Sequence, residues 1–393
     1  MTIYLDHNAT TPVDPLVLEA MLPWFSDNFA NASSVHALGR RARSVVDAAR
    51  ADVAAIVGAE AREIVFTSGA TESDNLALKG VLEAAPRGRR RILVGSTEHK
   101  AVLDTADWLS RRGAEVVLVP VTSDGLVDVD AYLELLDERV ALVSIMLANN
   151  ETGVIAPLRL IAEAAHEVGA IVHTDATQAV GKMDVDFADL GVDLASWSAH
   201  KMYGPKGTGA LYVARRTRIV ATMHGGGHEF GLRSGTSNVP AIVGFGAASV
   251  HGRVTHDESS RQGALIERLV SSLSSRLSGV HQIGISAPRL SNTACIRFVG
   301  ADAEAVMVNA PVVAMSSGSA CTARFPSPSH VLLAMHLDAD AASECLRFSV
   351  GRSTSDGDID LAIQHVVEAV ERVRSFGTCQ ARTWDVSEER SIV

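Results

Sequence analysis

Three residues stand out because their side chains can do covalent or proton-transfer chemistry and their settings suit it. Lys201 lies in Ser198-Ala199-His200-Lys201-Met202-Tyr203-Gly204-Pro205-Lys206-Gly207, a polar, glycine-rich turn between two apolar runs. Asp175 closes the apolar run Ala170 to Thr174 and is followed by Ala176-Thr177-Gln178. Cys321 lies among small residues in Ser316-Ser317-Gly318-Ser319-Ala320-Cys321-Thr322-Ala323. A lone lysine in a hairpin loop is ordinarily a solvated charge. A lysine paired with a carboxylate at a strand end is different. The amine can form a Schiff base with an aldehyde, and the carboxylate can hold a ring nitrogen protonated, which is what pyridoxal phosphate requires.

Further stretches carry weaker signals of their own. Thr67-Ser68-Gly69-Ala70-Thr71-Glu72 sits between a strand-like and a helix-like run. Such a turn is either a plain helix start with Thr71 as N-cap or an anion site of backbone N–H groups. His99 follows an apolar run in Ser96-Thr97-Glu98-His99-Lys100. Asn150 lies in Ala148-Asn149-Asn150-Glu151-Thr152-Gly153, where a turn former is the plain reading. His224 and His228 flank three glycines, too little to expect a metal. Cys295 and Cys345 fall in apolar runs that predict burial, and Cys379 lies near the chain's end. The four cysteines show no metal spacing, and free thiols in a reducing cytoplasm are expected.

These motifs need elements to position them. Strand-like runs at 64–67, 92–94, 116–119, 140–147, 170–175, 192–197 and 210–213 alternate with helical ones at 43–58, 72–85 and 158–168. Near-continuous apolar strands alternating with helices predict an α/β fold, with a mostly parallel central sheet covered by helices. From about Arg261 an amphipathic helix, two strands and a last helix predict a smaller α+β domain. The expected division is a large domain over 16–260, a small one from 1–15 with 261–376, and a mobile or partner-binding tail over 377–393. The chain has 393 residues, formal charge -11 and pI near 5.7. That balance argues against direct nucleic-acid binding. No signal peptide and no membrane-spanning run are read.

Asp175-Ala176-Thr177-Gln178 followed by the Lys201 turn resembles the cysteine desulfurases, within the class V aminotransferase-type pyridoxal-phosphate enzymes of fold-type I. The similarity runs from Leu5-Asp6-His7-Asn8-Ala9-Thr10-Thr11-Pro12 to Leu346-Arg347-Phe348-Ser349. It implies a homodimer that converts L-cysteine to alanine and passes sulfur to an acceptor protein, for iron–sulfur cluster assembly, tRNA thiolation or DNA phosphorothioation. By the resemblance, Lys201 carries the cofactor and removes the α-proton, and Asp175 pairs with the ring nitrogen. Ala70, Thr71, Ser198 and His200 become phosphate contacts. His99 stacks over the ring and shuttles protons. Asn150 and Gln178 approach the phenolic oxygen, and Asn150 also the substrate carboxylate. Thr236, in Arg233-Ser234-Gly235-Thr236, reaches the other subunit's phosphate. Cys321 becomes the nucleophile that takes the persulfide, in the group with an extended catalytic loop. Arg347 holds the substrate carboxylate through paired hydrogen bonds, with Arg352 as the alternative. A selenocysteine lyase, another aminotransferase or a non-catalytic scaffold for sulfur relay are the competing readings.

Overall fold

The computed structural model describes residues 2–253, 255–318 and 328–382. Cys321 therefore lies outside the described residues. Seven strands form the large sheet: β1 (Ile64–Thr67), β2 (Arg91–Gly95), β3 (Glu115–Val119), β4 (Val140–Ser144), β5 (Ile171–Asp175), β6 (Leu194–Ser198) and β7 (Gly209–Val213). Their spatial order is β1-β7-β6-β5-β4-β2-β3. β6, β5, β4, β2 and β3 run parallel, whereas β7 is antiparallel to both of its neighbours. The antiparallel strand follows from the Lys201 turn. A short connection can only reverse the chain, whereas a parallel return needs a crossover.

β1, β4 and β6 are buried at every residue. Two apolar layers account for this, one containing Trp197, Phe187 and Phe245, the other Leu76, Ile92 and Val102. On one of them pack α1 (Ala37–Ala55) and on the other α2 (Ala70–Ala84) and α3 (Lys100–Ser110). Helix α1 begins six residues earlier than its apolar stripe predicts, because His36 Nδ1 accepts from Gly39 N and caps a polar first turn. The apolar run 140–147 is strand only to Ser144; beyond it Ile145 and Leu147 donate to His173 and Asp175 carbonyls.

A second sheet combines β8 (Val280–Gln282), β9 (Thr293–Phe298), β10 (Ser316–Ser317) and β11 (Cys345–Ser349), in the order β10-β11-β9-β8 and wholly antiparallel. Two long helices, His256–Arg276 and Asp356–Arg382, bury Leu265, Leu269, Leu273, Ile359, Val366 and Val370 in the core this sheet shares. Ile3 and Leu5 enter that same core, and Ile3–Tyr4 pairs in parallel with Val313–Ala314. The last helix continues to Arg382, six residues into the stretch read as tail; a nucleated helix extends by one hydrogen bond per added residue, so propensity alone does not end it.

Candidate active site

The parallel strands end on one side, and a cavity of about 740 Å³ opens there. Open α/β sheets place ligand sites in this position, beyond the carboxyl ends of the strands. Asp175 is the last residue of β5 and Ser198 the last of β6. His99 follows β2, Ala70 follows β1, and Asn150 follows β4. Each of these residues lines the cavity, as do Thr71, Gln178, His200, Lys201 and Arg347. Helices and strands separated by hundreds of residues thus bring one set of side chains together.

The phosphate-side expectation concerns the start of α2. Thr71 is not its N-cap; Gly69 holds that position with φ 155°, and no side chain caps it. Ala70 N instead donates to Ser198 Oγ at 2.7 Å. Gly209 explains how β7 comes so close. A Cβ on it would stand 2.6 Å from Gly69 Cα and 2.6 Å from Trp197 O. A Cβ on Gly69 would meet only Ser198 Oγ, at 3.4 Å, so the backbone there is open toward the cavity. A 15-residue helix beginning at such a cradle presents its positive end to an anion.

Lys201 Nζ donates to Asn8 O at 2.5 Å and Ala9 O at 2.8 Å, so the N-terminal loop orients the amine. Lys206 also lines the cavity. Lys182 is buried, and its amine is spent on Asn8 Oδ1, at 2.8 Å, and on Gln178 Oε1. Burial, then the charges of Lys201 and Arg347, hold the Lys182 amine well below its ordinary value. Gln178 uses its Nε2 on Asn8 O at 3.0 Å, so both ends of its amide have partners in this geometry.

His99 Nδ1 accepts from Ala101 N at 3.1 Å and caps α3, which leaves the ring proton on Nε2. His200 Nδ1 lies 3.0 Å from Thr10 Oγ1. Burial first, then Lys201, Lys206 and Lys182, push the His200 imidazole down to about 4, so it is neutral at pH 7. Asp175 Oδ1 accepts from Thr177 N at 2.9 Å. Behind it, His173 spans Ser144 Oγ at 2.9 Å and Ser196 Oγ at 3.0 Å, with burial pushing its imidazole down to about 3. Asp74 and Glu98 are fully buried near this layer. Burial and then the Asp175 charge hold Asp74 well above the carboxylate range; Glu98 is held up by burial and by that charge, against a hydrogen bond from Met146 N.

Arg347 donates to Asp6 Oδ1 at 2.6 Å and Asn150 O at 2.9 Å, and its buried Nε has no partner among the described residues. Arg352 does not line the cavity; it lies over the Tyr203 ring at 4.5 Å. Thr236 is exposed and does not line the cavity either. Its segment is fixed by Arg233, whose guanidinium makes two bonds to Glu72, at 2.7 and 3.2 Å. Cys295 and Cys345 are buried, as their apolar runs predict. The Cys345 thiol and then burial hold the Cys295 thiol well above its ordinary value.

Sequence reasoning missed Asp6, Asn8, Thr10 and Glu151 as cavity residues. Asn8 is the hub, bonded through its side chain to Thr293 Oγ1, Lys182 and the Asn150 carbonyl. The usable signal is a mostly polar run, Asp6 to Thr11. Among the described residues, no three His, Cys, Asp or Glu side chains are grouped to hold a metal, and no helix is long and apolar enough to cross a membrane.

The donor set suits pyridoxal phosphate: an amine at Lys201, a buried carboxylate at Asp175, and an anion cradle at Gly69–Ala70 whose backbone the absence of a Cβ at positions 69 and 209 lets sit close to β7. The pattern of the aminotransferase class-V family matches residues 3–361. A cysteine desulfurase of Frankia sp. (strain EuIK1) is 50% identical over 388 residues, covering 95% of this chain and 92% of that protein. A solved structure described as a NifS-like protein superposes with TM-score 0.87 at 36% identity, over 95% of this chain and 100% of that one. Another, described as SspA in complex with cysteine, gives TM-score 0.80 at 37% identity, over 89% and 99% of the two chains. The chain belongs to the class-V aminotransferase family of fold-type I and, within it, to the cysteine desulfurases. It is a pyridoxal-phosphate enzyme of sulfur transfer.

Proposed function

We propose that this chain takes the sulfur of L-cysteine onto Cys321 and hands it to an acceptor protein. The observation that carries the reading is the convergence of Lys201, Asp175, the Ala70 cradle and Arg347 on one cavity whose wall includes Ser316, Ser317 and Gly318, the residues leading to Cys321. Pyridoxal phosphate, when bound, supplies an aldehyde that captures an amine and a ring that accepts electron density from Cα. Lys201 holds that group through Nζ and afterwards moves the α-proton. Asp175 keeps a proton on the ring nitrogen. Ala70, Thr71, Ser198 and the neutral His200 bind the phosphate. His99, with its proton on Nε2, relays protons. Asn150 and Gln178 orient the phenolic side, Gln178 by exchanging one of its present partners. Arg347 receives the substrate carboxylate by sharing the guanidinium now held by Asp6.

In the sulfur step the Cys321 thiolate attacks the cysteine sulfur. An S–S bond forms as the substrate C–S bond breaks, the electron pair of that bond stays on Cβ, and a proton there completes alanine. The products are alanine and a persulfide, so no outside oxidant is needed.

The site is completed by a second copy of the chain in this reading. Thr236 stands outside its own cavity, and Phe25, Phe29 and Phe230 are exposed at 61%, 75% and 60%, apolar surface that a second copy could cover. The division into 16–260 and 1–15 with 261–376 is supported by the separate core that Ile3 and Leu5 share with the C-terminal helices. A cytoplasmic setting suits two neighbouring thiols, Cys295 and Cys345, that stay reduced. The test is mass spectrometry after brief exposure of the cofactor-loaded protein to cysteine without reductant. Added sulfur on the Cys321 peptide is expected, with none in Cys321→Ser; sulfur on Cys379 first would overturn the assignment. Borohydride reduction should place the pyridoxyl group on Lys201, not on Lys182 or Lys206.

A further inference from the structure

Glu151 takes no part in the chemistry outlined above, yet it is a buried acid in the cavity wall, 4% exposed. Its place is preset by Asn149, whose Oδ1 accepts from Glu151 N and Thr152 N, both at 2.9 Å. Two distant parts of the chain converge on one of its oxygens. Ser329 Oγ donates to Oε2 at 2.5 Å, and it also accepts from Leu332 N at 3.3 Å, capping helix His330–Ala334. From the other side comes Gly318. A Cβ at that position would stand 2.5 Å from the same Oε2 and 2.7 Å from Ser329 Cβ, so only glycine lets the backbone lie against the carboxyl. Gly318 and Ser329 flank the residues that include Cys321.

We propose that Glu151 is a positioning residue for sulfur transfer: one carboxyl oxygen accepts from Ser329 and packs against the Gly318 backbone at the cavity wall, and so fixes both points from which the chain bearing Cys321 departs. The inference rests on the reading that Cys321 takes the sulfur. A purely structural helix cap would not need a buried acid, because a serine alone caps a helix. Burying an acid here is costly, and such costs concentrate at functional sites. The charged groups that face Glu151 are Arg347 from β11 and Lys100 from α3; the Cys295 thiol on β9 feels its charge, and His330, next to Ser329, donates its Nε2 proton to Glu98 O at 2.8 Å.

The test separates binding from transfer in the cofactor-loaded full chain. Cysteine binding is read from the change in the cofactor's absorption, and transfer from the rate at which sulfur appears on the Cys321 peptide. In Glu151→Ala, half-saturating cysteine should stay near the wild-type value while transfer slows about 10- to 100-fold, the loss of one charge-assisted hydrogen bond. Glu151→Gln keeps an acceptor oxygen and should restore most of the rate. Ser329→Ala should slow transfer by a similar factor, and the double variant should be no slower than the worse single, as expected for two groups acting as one contact. If Glu151→Ala does not fold, the Gln and Ser329 variants carry the test alone. Transfer in Ser329→Ala or Glu151→Ala at the wild-type rate, additive losses in the double variant, or equal losses in binding and transfer would overturn the proposal. Sulfur on another cysteine in the wild type would instead overturn the Cys321 reading beneath it.

Discussion

Replacing Glu151 with glutamine should change stability in a pH-dependent way whose sign and size follow from burial. Burial pushes the Glu151 carboxyl up from 4.5 to about 7; the Ser329 hydrogen bond, Arg347 and Lys100 oppose it without cancelling it. Between those two values the folded chain keeps a proton that the unfolded chain releases. The folded state therefore loses stability as pH rises through the window, and the loss is complete above pH 7. With these two values the penalty is about 1.4 kcal/mol near pH 5.5 and about 3.4 kcal/mol near pH 8.5. Glutamine cannot ionise and escapes both. Glu151→Gln should thus gain about 2 kcal/mol over wild type on going from the lower pH to the higher one, whatever its absolute effect. Urea unfolding of both proteins at each pH, at one protein concentration and with cofactor bound, reads this difference. A constant gap between the two proteins would refute the reasoning. That constant gap is what would be seen if Arg347 and Lys100 outweighed burial, because a carboxyl held below 4.5 in the folded chain is ionised in both states at both pH values, and Glu151 would then be an ordinary buried ion-pair partner.

Gly209→Ala should cost about 1–3 kcal/mol, because the added methyl meets backbone on two sides, at Gly69 and Trp197, and neither can rotate away. It should also release the cofactor more readily; dialysis that leaves variant and wild type equally loaded would show that the Gly69–Gly209 approach does not shape the cradle. Light scattering on an active sample should give twice the chain mass, and a single-chain mass at full activity would remove the role given to Thr236.

The parts of this site that lie close together in the chain were legible without coordinates. The Lys201 turn, the aspartate ending β5 and the Gly69–Thr71 bend are each set by local chemistry: glycine where backbones must approach, an apolar run that must be a buried strand, a small-residue start to a helix. Their order along the chain also implied the parallel sheet, since strands joined through helices run the same way. What the tertiary structure alone decided are contacts between positions far apart. Asn8 reaches Thr293 and Lys182, Arg347 is claimed by Asp6, and Glu151 collects Gly318 and Ser329. That Lys182 is buried and spent on Asn8 and Gln178 is of this kind too. No periodicity or spacing encodes such pairings. A buried polar group must find a partner, and which one it finds depends on how two distinct hydrophobic cores pack in the finished fold.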